Sequence, residues 1–393
     1  MLLTIALIIL LALMLGKLFQ MIHVPSILGM LLTGMILGPF VLDLIDDRIL
    51  LLSTELRQIA LIVILLRAGL SLKVEDLRKI GKPALKLSFI PASMELIAIL
   101  ILGPLLFDLS FLEAAILGSI LAAVSPAVVV PRMLQLMEKG YGKQKRIPQL
   151  ILSGASLDDI YVIILFSSFL QSYLTGEPSL SMVYELPLSI ILGVLVGLGV
   201  GYVSTLVFKS YHMRDTIKVL ILFSLSFLLI TLESALKPYF AFSGLLAVMM
   251  FGGMIHFQYP VLAKRLVGKF EKIWVIAEIM LFVLVGAAVN IHALQGVGSH
   301  AILLILSALM FRSLGVYLAM MNTNLIIKER VFVMIAYLPK ATVQAAIGAI
   351  PLAYGIPSGD LMLSLAVLAI IITAPLGAIG MDWTYTRLLN HEN

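Results

Sequence analysis

Apolar runs of about 20 residues recur from one end of this chain to the other, each long enough to cross about 30 Å of hydrocarbon as a helix. That pattern makes the chain an all-α polytopic membrane protein. Thirteen transmembrane helices are predicted, at about 2–22, 25–41, 54–71, 83–106, 111–136, 147–174, 184–208, 216–234, 242–257, 271–290, 299–322, 330–352 and 360–386. Of the 393 residues, 61% are hydrophobic and 12% charged, about half the charge of a soluble domain. No polar stretch is long enough to fold separately. Met1 to Leu15 lacks a basic start and a small-residue cleavage site, which reads as a retained helix, not a signal peptide. With no cysteine there is no disulfide framework, no thiolate metal site and no thiol nucleophile. The six histidines lie mostly in loops without ligand spacing and read as surface or interfacial groups.

The net charge of +5 raises the question of an acidic partner, and its distribution answers it. Of the 27 Lys and Arg residues, 21 fall in alternate connections, beginning with the one after the first helix. The opposite side has only Arg48, Arg57 and Lys237, and Arg67, Arg312 and Lys340 lie within helices. Such a split places the N-terminus outside and the C-terminus in the cytoplasm of a cell-membrane protein. The basic excess therefore reports topology and needs no nucleic acid.

Two segments repeat in order. The stretch Pro25-Ser-Ile-Leu-Gly-Met-Leu-Leu-Thr-Gly resembles Phe242-Ser-Gly-Leu-Leu-Ala-Val-Met-Met-Phe-Gly; Arg67-Ala-Gly-Leu-Ser-Leu resembles Gly286-Ala-Ala-Val-Asn-Ile; and Ser125-Pro126-Ala-Val-Val resembles Leu338-Pro339-Lys-Ala-Thr. Each repeat holds five helices, and an odd number inverts the second copy, as in alternating-access transporters with a midplane site. In both copies the fourth helix carries an internal proline beside polar residues, Ser125-Pro126 and Pro339-Lys340-Ala-Thr342. Proline removes a helix hydrogen bond, and in lipid the freed groups must be satisfied by protein, water or an ion. A matched pair of broken helices is thus the predicted binding site.

Seven ionisable residues fall inside the predicted helices: Arg67, Glu95, Asp158, Asp159, Glu278, Arg312 and Lys340. Each costs at least about 2.5 kcal/mol at the bilayer centre, so burial and pairing are expected. Arg67, close to Lys73, reads as a snorkelling residue, and pairing between Arg67 and Glu278 is one option the sequence leaves open. Asp158 and Asp159 sit mid-helix in Gly154-Ala-Ser-Leu-Asp-Asp-Ile-Tyr. Neighbours on a helix point about 100° apart, so one can face a cavity while the other faces a neighbouring helix. Partial dehydration makes a carboxylate reluctant to stay charged, so such a group takes either a proton or a small cation, never both. That competition is what an antiporter requires. Hard cations want oxygen ligands, and Ser125, Ser156 and water are candidates to complete a shell around Asp159. Ser156 is three residues before it, on the same face.

These residues resemble the monovalent cation:proton antiporter superfamily, specifically its NHA branch of sodium/proton exchangers. The resemblance rests on Ala123-Val-Ser-Pro-Ala-Val-Val-Val-Pro131, Gly140-Tyr-Gly, the Asp158-Asp159 pair, and Leu338-Pro-Lys-Ala-Thr-Val-Gln-Ala-Ala-Ile-Gly348, and extends over nearly the whole chain. It implies a homodimer in membrane lipid whose core (83–174 and 299–386) rises and falls against dimerisation helices (1–72 and 184–290). It implies sodium or lithium as the transported cation, no cofactor, and no enzymatic activity. The ion-binding aspartate falls on Asp159, and Asp158 either carries a second proton or helps position the site. Related antiporters often have lysine where Arg312 stands, thought to release a proton. Arginine, with a pKa above about 12, does not, and in the NHA branch it looks paired with the residue at Glu95. A buried Glu95–Arg312 pair and a one-for-one, electroneutral cycle are the expectations. Lys340 is expected to compensate charge where the broken helices cross, on a helix end or on a carboxylate such as Asp158.

Three alternatives remain beside this reading. A sodium-coupled organic anion symporter of the same architecture gives no reason for a central titratable pair. A potassium/proton exchanger or channel differs only in the ion. An intramembrane aspartyl protease needs two aspartates flanking one water, which adjacent residues on one helix cannot provide.

Overall fold

A computed structural model describes residues 1–22, 24–71, 82–175, 182–236, 242–289 and 298–391. Among these residues every regular element is a helix and none is a strand: α1 Leu2–Met21, α2 Ser26–Leu37, α3 Asp47–Leu51, α4 Ser53–Ser71, α5 Lys82–Phe107, α6 Phe111–Leu121, α7 Pro126–Glu138, α8 Ile147–Thr175, α9 Met182–Ser210, α10 Asp215–Leu236, α11 Gly244–Gln258, α12 Pro260–Ala287, α13 Gly298–Met320, α14 Ile327–Ala336, α15 Thr342–Ile347, α16 Ile350–Ala353 and α17 Gly359–Leu388. Eight helical spans are long and apolar enough to cross a membrane, and three shorter apolar helices accompany them. The two interruptions fall at the internal prolines where broken helices were expected: the span at 111–136 is interrupted between Leu121 and Pro126, and the span at 330–352 is divided into α14, α15 and α16. Two other features differ from the sequence expectation. The helix predicted from 271 begins at Pro260, where proline's fixed φ and missing N–H suit a first turn. A short helix, α3, precedes α4.

The chain forms two compact units. One comprises the described residues of 1–54, 76–166 and 279–393; the other those of 55–75 and 167–278. In the second unit α9 packs along α11. A Cβ at Gly193, Gly197 or Gly201 would meet Ser243, Ala247 or Met254 at 3.0 Å or less. Small residues spaced by four let membrane helices approach at backbone distance, and here they do so over two turns.

In the first unit α5 and α13 run side by side. Gly315 faces Pro91 so closely that a Cβ would lie 2.7 Å from the proline Cα. This contact sets the register of the pair. One turn beyond Pro91 is Glu95, and one turn before Gly315 is Arg312. The helices are antiparallel, so these two residues come level with each other. Both are fully buried. The outward surfaces are apolar: α1 exposes Leu3, Leu10, Met14 and Leu18, the pattern of a helix whose solvent on one side is lipid.

Candidate functional site

Two interrupted helices meet in the first unit. The α6 helix stops at Leu121, four residues pass without helical structure, and α7 resumes at Pro126, a residue with no N–H to leave unpaired. The second interruption runs from Tyr337 to Ala341, between α14 and α15. The breaks touch through their main chains: the Ser125 N–H donates to the Pro339 carbonyl at 2.7 Å. Gly377 of α17 makes room for the Pro339 ring, which a Cβ there would strike.

A helix end buried without partners is costly, and here side chains serve several of the freed groups. Gln344 Nε2 donates to the carbonyls of Ile120 (3.1 Å) and Ala123 (2.9 Å). Lys340 Nζ donates to the Leu121 carbonyl and Arg312 Nη1 to the Ala122 carbonyl. The N–H of Val124 donates to Asp158 Oδ2 at 2.9 Å, and that of Lys340 to Thr373 Oγ1 at 2.9 Å. Side chains of α13, α15 and the second break therefore close the first, with Asp158 of α8 completing the set, while Thr373 of α17 serves the second.

The same side chains form a charge cluster. Arg312 donates to Glu95 Oε2 at 2.9 Å, to Asp158 Oδ2 at 2.8 Å and, through Nε, to the Tyr337 carbonyl at 2.7 Å. Lys340 Nζ lies 2.7 Å from Glu95 Oε1. All four side chains are buried. Two carboxylates and two cations cancel. The Tyr337 ring lies 5.5 Å from the Arg312 guanidinium, and its hydroxyl occupies the space a side chain at Gly154 would need.

Asp159 stands outside this balance. Among the described residues no cationic side chain pairs with it, and its Oδ1 is buried with no hydrogen-bond partner. The helical divergence of neighbouring side chains accounts for the division. Asp158 turns toward the break and Arg312, whereas Asp159 makes no hydrogen bond or ion pair to either among the described residues. Ser125 is buried at the crossing with its hydroxyl 3.5 Å from that of Thr342, and none of its hydrogen bonds goes to Asp159. The side chain of Ser156 lies outside the described residues. Lys340 is placed on Glu95 and the Leu121 carbonyl, not on Asp158. In the second unit Arg67 meets Glu271 at 3.4 Å, while Glu278, half-buried on the same helix, is hydrogen-bonded by Trp274.

Three members of the crossing escape a reading of the sequence: Gln344, Thr373 and Tyr337. Gln344 carried a signal, since it follows Lys340 by four residues in a stretch of small and apolar ones. Thr373 carried none beyond being a polar residue two positions before Pro375.

Comparison with known proteins adds an independent finding. The family described as sodium/hydrogen exchanger, transmembrane, matches residues 5–386. Sodium/hydrogen exchanger 9B2 of Mus musculus is 33% identical over 392 residues, covering 95% of this chain and 71% of that protein. Sodium/hydrogen exchanger 9B1 of Homo sapiens is 32% identical over 402 residues, covering 96% and 76%. Among solved structures, the sodium proton antiporter MjNhaP1 from Methanocaldococcus jannaschii at pH 8 superposes with a TM-score of 0.84 at 20% identity. That match covers 98% of this chain and 97% of the other.

Proposed function

The chain belongs to the sodium/hydrogen exchanger family, and from that premise we propose that it exchanges sodium, or lithium, for protons at Asp159. It is an integral, multi-pass membrane protein. The observation that supports the proposal most directly is the charge balance of the crossing. Glu95 and Asp158 are matched by Arg312 and Lys340, and Asp159 is the carboxylate left over. A buried carboxylate without a partner must acquire a positive charge to be stable. A proton supplies it in one state and a monovalent cation in the other, so the two compete for one position. Ser125 and Ser156 are the hydroxyl oxygens proposed to join Asp159 around the cation.

Asp158 takes a different part. Its Oδ2 accepts from both Arg312 and the Val124 N–H, contacts that hold it ionised and in place. Arg312 does not release a proton. One proton per cation follows, and the cycle is electroneutral. The core helices 83–174 and 299–386 carry the site, helices within 1–72 and 184–290 supply the scaffold and homodimer contact, and the core slides against it to expose Asp159 to each side in turn. No cofactor is required, because the free energy comes from the two ion gradients and no covalent bond is made or broken.

The test is proton flux in proteoliposomes on addition of Na+, Li+ or K+, for the wild-type chain and for Asp159→Asn. The wild type is expected to exchange Na+ or Li+, and Asp159→Asn to abolish exchange in a folded protein. Stabilisation against heat by the cation, which follows from preferential binding to the folded state, should vanish with it. Normal exchange by well-folded Asp159→Asn would remove Asp159 from the role, and a response to K+ alone would change the substrate.

A further inference from the structure

A broken helix cannot rely on its own continuation to stay aligned, and the outer ends of the two half-helices are held in an unexpectedly matched way. The α6 helix opens with a capping box in which Ser110 N–H donates to Glu113 Oε2 at 2.9 Å and Glu113 N–H to Ser110 Oγ at 3.3 Å. The other oxygen of Glu113 accepts from Ser358 Oγ at 2.6 Å. Ser358 is the N-cap residue of α17, the last helix of the opposite repeat. At the other end of the crossing, α14 opens with Glu329, whose Oε2 accepts from the Ile326 N–H at 2.8 Å. The same carboxylate pairs with Lys145 Nζ at 2.8 Å, with side-chain exposures of 3% for Glu329 and 28% for Lys145. Lys145 lies two residues before α8, the last helix of the first repeat and the one carrying Asp158 and Asp159.

The two arrangements are related by the inverted repeat. In each, the third residue of a half-helix is a glutamate that caps its own helix and binds the residue leading into the final helix of the other repeat. The sequence contains the glutamates at equivalent places, but the partners are distant: 245 residues separate Glu113 from Ser358 and 184 separate Lys145 from Glu329.

We propose that Glu113 and Glu329 are positioning residues of the exchange cycle, a symmetry-related pair of clasps that make the crossing, α8 and α17 move as one piece. This rests on the exchange reading above. The mechanical argument is one of leverage. At 1.5 Å per residue α6 is about 16 Å long, so a tilt of about 5° at its outer end displaces its inner end by about 1.4 Å. That opens the 2.9 Å bond from Gln344 to Ala123 and shifts the Val124 N–H off Asp158. Control of the outer ends thus fixes the main chain of the first break and its hold on Asp158, the neighbour of Asp159, although neither glutamate reaches either aspartate.

The two clasps differ chemically, and the difference separates clasping from simple helix capping. Glutamine serves a capping box as glutamate does, its carbonyl taking the Ser110 N–H while its amide N–H donates to the Ser358 hydroxyl oxygen, which can accept as well as donate. Glu113→Ala should therefore raise the cation KM of exchange, and Glu113→Gln should restore it. At the charged clasp, Glu329→Gln keeps the cap and loses the ion pair with Lys145. We expect its cation KM to rise about fivefold with Vmax little changed, a difference of about RT ln 5 in binding. Lys145→Met should match it, and the double variant should be no worse than either.

The absence of cysteine allows a direct test in the full-length chain. Lys145→Cys with Glu329→Cys introduces the only two thiols, which a short bifunctional thiol reagent then joins in proteoliposomes. Raised KM before cross-linking and return toward the wild-type value after it, with exchange continuing, is the expected result. Arrest of exchange on cross-linking would overturn the proposal, because it would mean that the clasp opens during the cycle. So would a wild-type KM in folded Glu329→Gln, which then assigns the residue to capping alone. Wild-type vesicles run in parallel isolate the premise: no sodium-driven proton flux there defeats the exchange reading itself.

Discussion

Arg312 serves four acceptors at once, which a lysine could not. Its Nε serves the Tyr337 carbonyl, Nη1 serves Glu95 and the Ala122 carbonyl, and Nη2 serves Asp158. A planar fork with several fixed donors bridges two carboxylates and two chain segments at once, whereas an ammonium presents a single nitrogen. Removing a partner from a fully buried ion pair leaves an uncompensated charge and costs about 3–5 kcal/mol. Arg312→Ala should reach that range, since Asp158 then loses its cation and Lys340 alone remains on Glu95. Glu95→Ala also strands a cation. The double variant should lose clearly less than the sum of the two, as interacting sites do. Thermal unfolding of the four purified proteins checks this, and additive losses would show that the pair is not coupled. The opposite charges of Glu95 and Arg312 in apolar helices were legible in the sequence. That Asp158 and Lys340 join the same cluster was not, because those contacts follow from how the two breaks cross and not from any local spacing.

At the scale of the element, the end of α6 is the decisive feature. Proline explains why a helix begins at Pro126, but it does not explain why α6 stops five residues earlier and remains buried. The carbonyls of Ile120 and Ala123 depend on Gln344, and a buried polar group left without a partner costs about 1–3 kcal/mol. Gln344→Ala is expected to lower the melting temperature and impair exchange. Gln344→Glu should be worse, since its carboxylate would face carbonyl oxygens in place of an amide donor. Both are measured by thermal unfolding and sodium-driven proton flux. Wild-type stability and exchange in Gln344→Ala would mean that water or another donor closes the helix end. The sequence marked both breaks through Pro126 and Pro339, and it marked Lys340 as a compensating charge. It did not assign Lys340 a partner.

At the scale of the whole molecule, charge balance decides what crosses the membrane in each cycle. With Asp158 held by Arg312 and Val124 N–H, only Asp159 changes its occupant under the proposed mechanism. Sodium added to proteoliposomes should then drive proton flux at a rate and to an end-point independent of an imposed membrane potential. A rate that follows the potential would show net charge movement and assign a second proton to Asp158. The same test distinguishes two readings of the Asp-Asp pair that the adjacent residues, considered alone, leave equal.

The sequence by itself determined the fold class, the repeat, the places where two helices break and the residue types gathered there. Each of these depends on local chemistry: apolar length against hydrocarbon thickness, proline against helix continuity, charge against lipid. The tertiary structure alone decided which charge meets which. It put Lys340 on Glu95, placed Arg312 between Glu95 and Asp158, and set Gln344 on the end of α6. Those contacts join residues more than 150 positions apart, and their geometry follows from the crossing of two antiparallel half-helices. It also separated Asp158 from Asp159. The 100° between successive helical side chains guarantees that the two face different surroundings, and only the packed neighbours decide which of them is left without a partner.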